Sequence, residues 1–330
     1  MTRILFIVGR GRSGTTLLAR MLTHHPQIAV APEGFFAMNL YRKYRFGAWN
    51  ERRIAAFCRD LMRERRMQTW ELDVDRLALR LRERESALTY ADVCLEVYRS
   101  FAEDTQRRKQ VAWVGDKNPH YALLIDRIDR LFPEARYIHI TRDYRDNILS
   151  YTQMPFDLGN PSALAQRWKE YNEEILKVSR RASERFLWLR YEDLVAHSEL
   201  ELRRICNFLD VEFDPAMLAF HAEEPPDARV KRGKWFPGVR RPIDPAQAQK
   251  WPHRLPDITV RRADAICGEF AERFGYHPTT RGEQPLSIAA RLGALYGRST
   301  VLAEKVLFGV VPAGVRINLI NGYRRFAGRA

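Results

Sequence analysis

The residues Gly9-Arg10-Gly11-Arg12-Ser13-Gly14-Thr15-Thr16 combine three glycines, two arginines and three hydroxyls within eight positions. They follow a short β-branched run, Ile4 to Val8, and precede Leu17, Leu18, Met21 and Leu22 at helical spacing. A strand, a glycine-rich turn and a helix N-terminus aim backbone N–H groups and a positive helix end at one point. Ser13, Thr15 and Thr16 add donors there and Arg12 adds a fixed charge, so the chemistry on offer is the binding of an anion such as a phosphate. The span matches a nucleotide-triphosphate loop, except that Thr15 stands where the phosphate-binding lysine belongs. That argues against a kinase or NTPase without arguing against a phosphate ligand. Gly9, Gly11 and Gly14 also match GxGxxG, but no acidic residue ends a second strand at the distance a ribose clamp needs; Glu33 follows a Pro in a loop.

Strand-like runs Ile28 to Ala31, Val111 to Val114, Ala135 to Thr141 and Phe186 to Arg190 alternate with helical patterns at Tyr121 to Leu131, Ser162 to Ser179 and Ser198 to Leu209. The alternation predicts an α/β fold with a mostly parallel sheet and helices on both faces. Ligands of such sheets bind outside the carboxyl ends of the strands. Loops 9–16, 115–119, 141–146 and 190–193 are therefore expected to converge on one crevice. Residues 49–110 read as a heavily charged helical insertion covering one side of the sheet, with blocks such as Arg63-Glu64-Arg65-Arg66 on a solvated face.

At 330 residues the chain can bury one large core or two modest ones, and 45% hydrophobic residues is ordinary for a globular protein. A formal charge of +14 favours anionic ligands or surfaces. No zinc, RNP or helix-turn-helix pattern supports a nucleic-acid partner. Cys58, Cys94, Cys206 and Cys267 are far apart, which fits reduced thiols in a cytoplasmic protein rather than a zinc site or disulfide framework. No secretory leader or membrane-spanning run is visible.

Taken in order, the motifs from Ile4 to Trp251 resemble the sulfotransferases that use 3′-phosphoadenosine 5′-phosphosulfate (PAPS), and within them the tyrosylprotein and bacterial branch. The resemblance implies a P-loop-like three-layer fold. Arg12 to Thr16, RSGTT, looks like the loop that cradles the 5′-phosphosulfate, with Gly11 just before it. LFPEARYIHITRDYRDNILS, Leu131 to Ser150, looks like the 3′-phosphate motif, with Arg142 and Ser150 as its ligands. Arg190 to Leu194, RYEDL, resembles the segment near the nucleotide, where Tyr191 is open between a nucleotide contact and a packed strand-end ring. Asp116 to Pro119 resembles the lysine loop of the tyrosylprotein branch, and Lys250-Trp251 its late lysine–tryptophan pair. The tyrosylprotein members also carry a serine before that lysine, and Trp235-Phe236-Pro237 offers none.

The resemblance implies transfer of a sulfuryl group from PAPS to an acceptor hydroxyl, with no metal. Charge builds on the oxygen left behind, so Lys117, Arg12 and Lys250 are candidates to stabilise it; Lys250 is equally an exposed helix lysine. Arg142 can clamp a phosphate bidentately, or pair with Asp143 or Asp146. Glu33, in a Pro–Glu–Gly turn, resembles the branch's catalytic base; it is placed ahead of the rival base His120. A kinase-like phosphoryl-transfer enzyme, or a nucleotide-binding relative without transfer activity, is the alternative.

Residues 1–280 are expected to form the sulfotransferase domain. The extension 281–330 carries eight Lys or Arg against two Glu, a net +6, with amphipathic helical patterns at Leu286 to Leu295 and Val301 to Leu307. It could lie on an anionic membrane, placing the protein peripherally there, or pack on the core or on a second copy in a homodimer. Loops 34–110 and 221–250 would shape the acceptor pocket. Glycan, glycolipid, phenol and peptide tyrosine acceptors are all open.

Overall fold

A computed structural model of the chain describes every residue except 1, 65, 85–86, 107, 109, 155–158, 223–238, 281–285, 312–314 and 316–330. The region Trp235 to Pro237, which lacks the serine of the tyrosylprotein members, the loop 223–238 of the expected acceptor wall and most of the basic tail beyond Val311 lie outside the described residues.

The chain begins with β1 (Arg3–Val8), α1 (Thr15–Thr23) and β2 (Ile28–Ala31), followed by single turns α2 (Phe36–Asn39) and α3 (Tyr41–Tyr44). Helices α4 (Glu51–Arg63), α5 (Val74–Arg82) and α6 (Tyr90–Asp104) come next, then β3 (Trp113–Lys117), α7 (Ile125–Leu131) and β4 (Arg136–Thr141). Helices α8 (Tyr144–Thr152) and α9 (Pro161–Ser179) lead to β5 (Phe186–Arg190), α10 (Tyr191–Ala196) and α11 (Ser198–Phe208). Helices α12 (Asp257–Ala271) and α13 (Ile288–Gly309) follow.

The sheet has the order β2-β3-β1-β4-β5 and every pairing is parallel. Its strands are apolar on both faces because both are covered. Alternation along β1 divides the core: Phe6 and Val8 face the layer built by α4 to α7, while Leu5 and Ile7 face α1, α10 and α11. Residues 49–104 thus cover one face of the sheet, held by buried Ile54, Phe57, Leu77, Val93 and Phe101. Asn50, Asp73 and Thr89 cap the three helices, and Thr89 with Asp92 forms a reciprocal capping box. Chain direction across the sheet reverses at β1, so the crevice a ligand would use opens beyond the ends of β1, β4 and β5.

Two local expectations differ. The run at Val111 is strand only from Trp113, but it continues through Lys117, because Gly115 and Asp116 stay in register with Leu5 and Phe6 of β1. Lys117 therefore sits on the last residue of a strand, and the helix after it opens with a 3₁₀ turn, Pro119–Leu124. In the tail, the two expected amphipathic segments are one helix, α13. Ser299 and Thr300, between them, turn their hydroxyls back to the carbonyls of Tyr296 and Gly297 at 2.8 and 2.7 Å, so they do not break it. Gly297 lets α13 lie directly on α9, where a Cβ would come within 2.5 Å of the Ala163 carbonyl oxygen.

Candidate active site

The glycine loop joins β1 to α1 and is clamped by α8. Arg12 takes a left-handed backbone, φ 67°, unusual for a residue with a side chain. Its Nε donates to Ser150 Oγ at 3.0 Å, and its carbonyl accepts from Arg142 Nη1 at 3.4 Å. Asn147 Nδ2 donates to the Gly11 carbonyl at 2.9 Å and to Ser13 Oγ at 3.2 Å. Gly14, φ 93°, admits no side chain, because a Cβ would lie 2.5 Å from the Tyr191 ring.

A cleft of about 490 Å³ opens beside this loop, lined by Arg12, Gly14, Thr15, Thr16, Arg142, Ser150, Tyr191 and Lys250. Eight of the residues singled out from sequence therefore share one wall. Gly11 and Ser13 are not in it: Ser13 is buried, with its hydroxyl held by Asn147, so it braces the loop from behind. The crevice also draws on fewer loops than expected, since residues 115–119 do not line it.

Arg142 emerges at the end of β4 with its guanidinium over the Tyr191 ring, 4.4 Å from the centroid, so Tyr191 packs and faces the cleft at once. Asp143 is not its partner. Arg145 takes both oxygens of Asp143, at 2.9 and 2.7 Å. Asp146 lies 3.8 Å from Arg142 Nη2, which donates to the Gln247 carbonyl at 2.8 Å, and Arg142 Nε is buried with no hydrogen-bond partner among the described residues. Asp146 Oδ1 instead accepts the backbone N–H groups of Lys250 and Trp251 at 3.0 and 2.9 Å, drawing that segment across the cleft. Lys250 is thus a cleft residue on an irregular segment, not a helix lysine, with its ammonium on Gln247. Burial lowers the Arg12 pKa, and the nearby Arg142 charge lowers it further. Burial likewise lowers Lys250, with Arg254 and Arg142 adding to the effect. Crowded cations with depressed pKa values are stabilised when a polyanion enters.

A second cluster stands at the ends of β2 and β3. Lys117 Nζ meets Glu33 Oε1 at 2.7 Å, and Arg66 Nη1 meets Glu33 Oε2 at 2.5 Å. Lys117 is only 5% exposed. The neighbouring Asp116 is wholly buried, and burial pushes its carboxyl up to about 7 against the hydrogen bonds of Tyr98 and Tyr121. His120 packs its ring against Phe35 and Phe308, 5.8 and 5.2 Å between centroids, and burial lowers its pKa. The glycine loop joins the two clusters: a Cβ on Gly11 would stand 2.3 Å from the Tyr151 hydroxyl and 3.9 Å from Pro119 Cβ.

Arg66 and Asn147 escape a reading of the sequence. Arg66 sits in a charge block that looks like a solvated helix face, and Asn147 sits inside a motif whose arginine and serine draw the attention.

The cleft suits a ligand carrying phosphate groups. Its glycine cradle excludes side chains, and Arg142 presents a buried Nε with no hydrogen-bond partner among the described residues. Comparison with known proteins gives the family. The model of a family described as "Sulfotransferase family" matches residues 5–215, from β1 past Tyr191. The Protein-tyrosine sulfotransferase of Drosophila melanogaster is 27% identical over 295 residues, covering 83% of this chain, which in turn spans 52% of the fly protein's length. Protein-tyrosine sulfotransferase 1 of Danio rerio is 25% identical over 288 residues, covering 83% of this chain and 72% of its own. Among solved structures, the sulfotransferase domain from the curacin biosynthetic pathway superposes with a TM-score of 0.55 at 24% identity, covering 84% of this chain and 99% of that domain. With the match running through all five strands, the glycine cradle, Arg12 and Arg142, this chain belongs to the sulfotransferase family.

Proposed function

We propose that the chain transfers the sulfuryl group of PAPS to an acceptor hydroxyl. The observation that carries this reading is the pairing of two sites. Arg12, Arg142 and Ser150 share one cleft, and the Glu33–Lys117 pair stands at the ends of the strands on the other side of β1. PAPS supplies an electrophilic sulfur and a phosphate leaving group.

Arg142 and Ser150 would hold the 3′-phosphate, and Tyr191 would border the nucleotide. Gly14, Thr15 and Thr16, at the start of α1, would cradle the 5′ end with backbone and hydroxyl donors. Arg12, Lys250 and Lys117 supply positive charge for the oxygen on which negative charge grows. Glu33 accepts the acceptor's proton at Oε1. That oxygen is now occupied by Lys117, so Lys117 must turn toward the donor before Glu33 can act. Arg66 keeps Oε2 in place during the exchange. His120 is the competing base.

The names of the relatives favour a tyrosine hydroxyl as acceptor; glycan and lipid-linked hydroxyls are the other classes to be tried. Incubation with radiolabelled PAPS and a panel of tyrosine peptides, phenols, saccharides and glycolipids tests the proposal. Label transfer unaffected by EDTA, and tighter binding of the desulfated 3′,5′-bisphosphate than of ATP, are expected. Magnesium-dependent ATP binding with phosphoryl transfer would replace this reading with the kinase-like one. Tight bisphosphate binding with no labelled product from any acceptor would leave a nucleotide-binding protein without transfer. Loss of turnover in Glu33→Ala but not His120→Ala is expected; the reverse moves the base to His120.

A further inference from the structure

Helix α13 has two opposed faces. Inward, Gly293, Gly297 and Val301 pack on α9, Glu304 receives Arg167 Nη2 and the Tyr171 hydroxyl at 2.7 Å each, and Phe308 stacks on Phe35. Outward, Ile288, Leu292, Leu295, Leu302, Val306 and Val310 recur at three- and four-residue steps or their sum, and each is 49–78% exposed. They form an apolar stripe, interrupted at Ser299, along a helix of 22 residues, roughly 33 Å long. Ser299, Leu302, Val306 and Val311 also border a shallow groove on it. Such a stripe is far from ordinary for a surface helix, which turns its apolar residues inward.

The charges say what covers it. Arg291, Arg298 and Lys305, seven residues apart, run along one edge of the stripe; Arg298 and Lys305 also meet Glu170 and Glu174 of α9, at 3.6 and 2.8 Å. Glu304, the sole acid in α13, points inward. From Val306 to Ala330 the sequence contains Arg316, Arg324, Arg325 and Arg329 and no acid. A second copy pairing through this stripe would meet no acid on the stripe itself, and the neighbouring Glu170 and Glu174 of α9 are already engaged by Arg298 and Lys305. An apolar stripe with bases along one edge and an acid-free, arginine-bearing sequence after it instead matches an anionic lipid surface, with the apolar side chains in the acyl boundary and the bases among the headgroups. No helix among the described residues is long and apolar enough to cross a membrane, so the contact is one of lying on the surface.

We infer that α13 docks the protein on anionic membranes through the Ile288–Val310 stripe. The contact is independent of the transfer chemistry, and its test reads binding alone.

The full chain is sedimented with vesicles of phosphatidylcholine, with or without phosphatidylglycerol, at low and high salt. Binding to the anionic vesicles that weakens with salt is expected. A Leu295→Ser, Leu302→Ser, Val306→Ser variant should bind about tenfold or more weakly, since each lost side chain removes buried apolar area. Arg291→Gln with Arg298→Gln should weaken binding about fivefold per charge. Thermal melts matching wild type would show both variants folded; if the triple variant melts early, the arginine pair decides. The inference is overturned if wild type does not bind anionic vesicles, or if the decisive folded variant binds as wild type does. A dimer in lipid-free solution that the stripe substitutions dissolve would also overturn it, by making a second copy the occupant.

Discussion

Arg66 Nη1 lies 2.5 Å from Glu33 Oε2, while Lys117 Nζ holds the other oxygen of the same carboxylate at 2.7 Å. One carboxylate is thereby gripped from two directions, by a strand end and by the segment leaving α4. Arg66 adopts φ 81°, a left-handed conformation that costs on the order of 1 kcal/mol for a residue with a side chain. The strain aims a cation at Glu33. Its function on this view is to fix the orientation of the base once Lys117 lets go.

Arg66→Gly keeps the left-handed backbone accessible and deletes the guanidinium. We expect kcat to fall about ten- to a hundredfold, with the KM for PAPS within about twofold of wild type. Arg66→Lys should recover part of the loss. Steady-state kinetics at saturating acceptor measure this, and an equal loss in donor affinity would make Arg66 a donor ligand rather than a positioning residue.

Lys117 and Glu33 should act as a unit, because each occupies the other until the donor arrives. Lys117→Met alone, and Glu33→Gln alone, are each expected to lower kcat about 10²- to 10³-fold. The double variant should be little worse than the poorer single one, since residues that act together are not additive. Fully multiplicative losses would show that the two contribute independently and that the resting contact has no part in the reaction.

Much of this architecture is legible in the sequence because strand and loop chemistry are local. Ile4 to Val8 reads as a buried strand, Gly9 to Thr16 as an anion cradle, and Arg142 as a strand-end cation; each depends on neighbours within a few residues. The partners that complete the site are far apart in the chain. Arg66 reaches Glu33 across 33 positions, and Asp146 organises Lys250 across 104. Neither link leaves a local pattern, since a lone arginine in a charged helix looks the same whether it faces water or a carboxylate. The placement of α13 is hidden for a related reason. Gly293 and Gly297 become contact points only because α9 and its cap lie against them.

Gly14→Ala tests the cradle by steric means. The new Cβ would stand 2.5 Å from Tyr191 Cδ2 and would have to adopt φ 93°. The free loop is then expected to leave the left-handed conformation, and regaining it on binding costs about 1–2 kcal/mol, roughly a ten-fold rise in the donor Kd. Adding Tyr191→Ala relieves the clash but not the backbone, so it should rescue folding stability more than donor affinity. Calorimetric titration with the desulfated bisphosphate separates the two, and full recovery of affinity in the double variant would assign the whole effect to the ring.

Asp116 links the site to pH. Burial raises its carboxyl to about 7; hydrogen bonds from Tyr98 and Tyr121 and the Lys117 charge oppose the shift, and the Glu33 charge adds to it. An unfolded chain releases this proton near pH 4. Between about pH 4 and pH 7 the folded state therefore holds a proton that the unfolded state has lost, and stability falls as pH rises. Above pH 7 both states are ionised and the loss levels off, at no more than about 4 kcal/mol for a shift of this size. Asp116→Asn has no proton to lose. Relative to wild type it should gain stability from pH 5 to about pH 7 and level off by pH 8, whatever its offset at pH 5. Urea unfolding at both values measures the change, with other titrating groups cancelling in the difference. Parallel stability profiles for the two proteins would mean that Asp116 is already ionised throughout this range, held so by Lys117 at the floor of the Glu33 cluster.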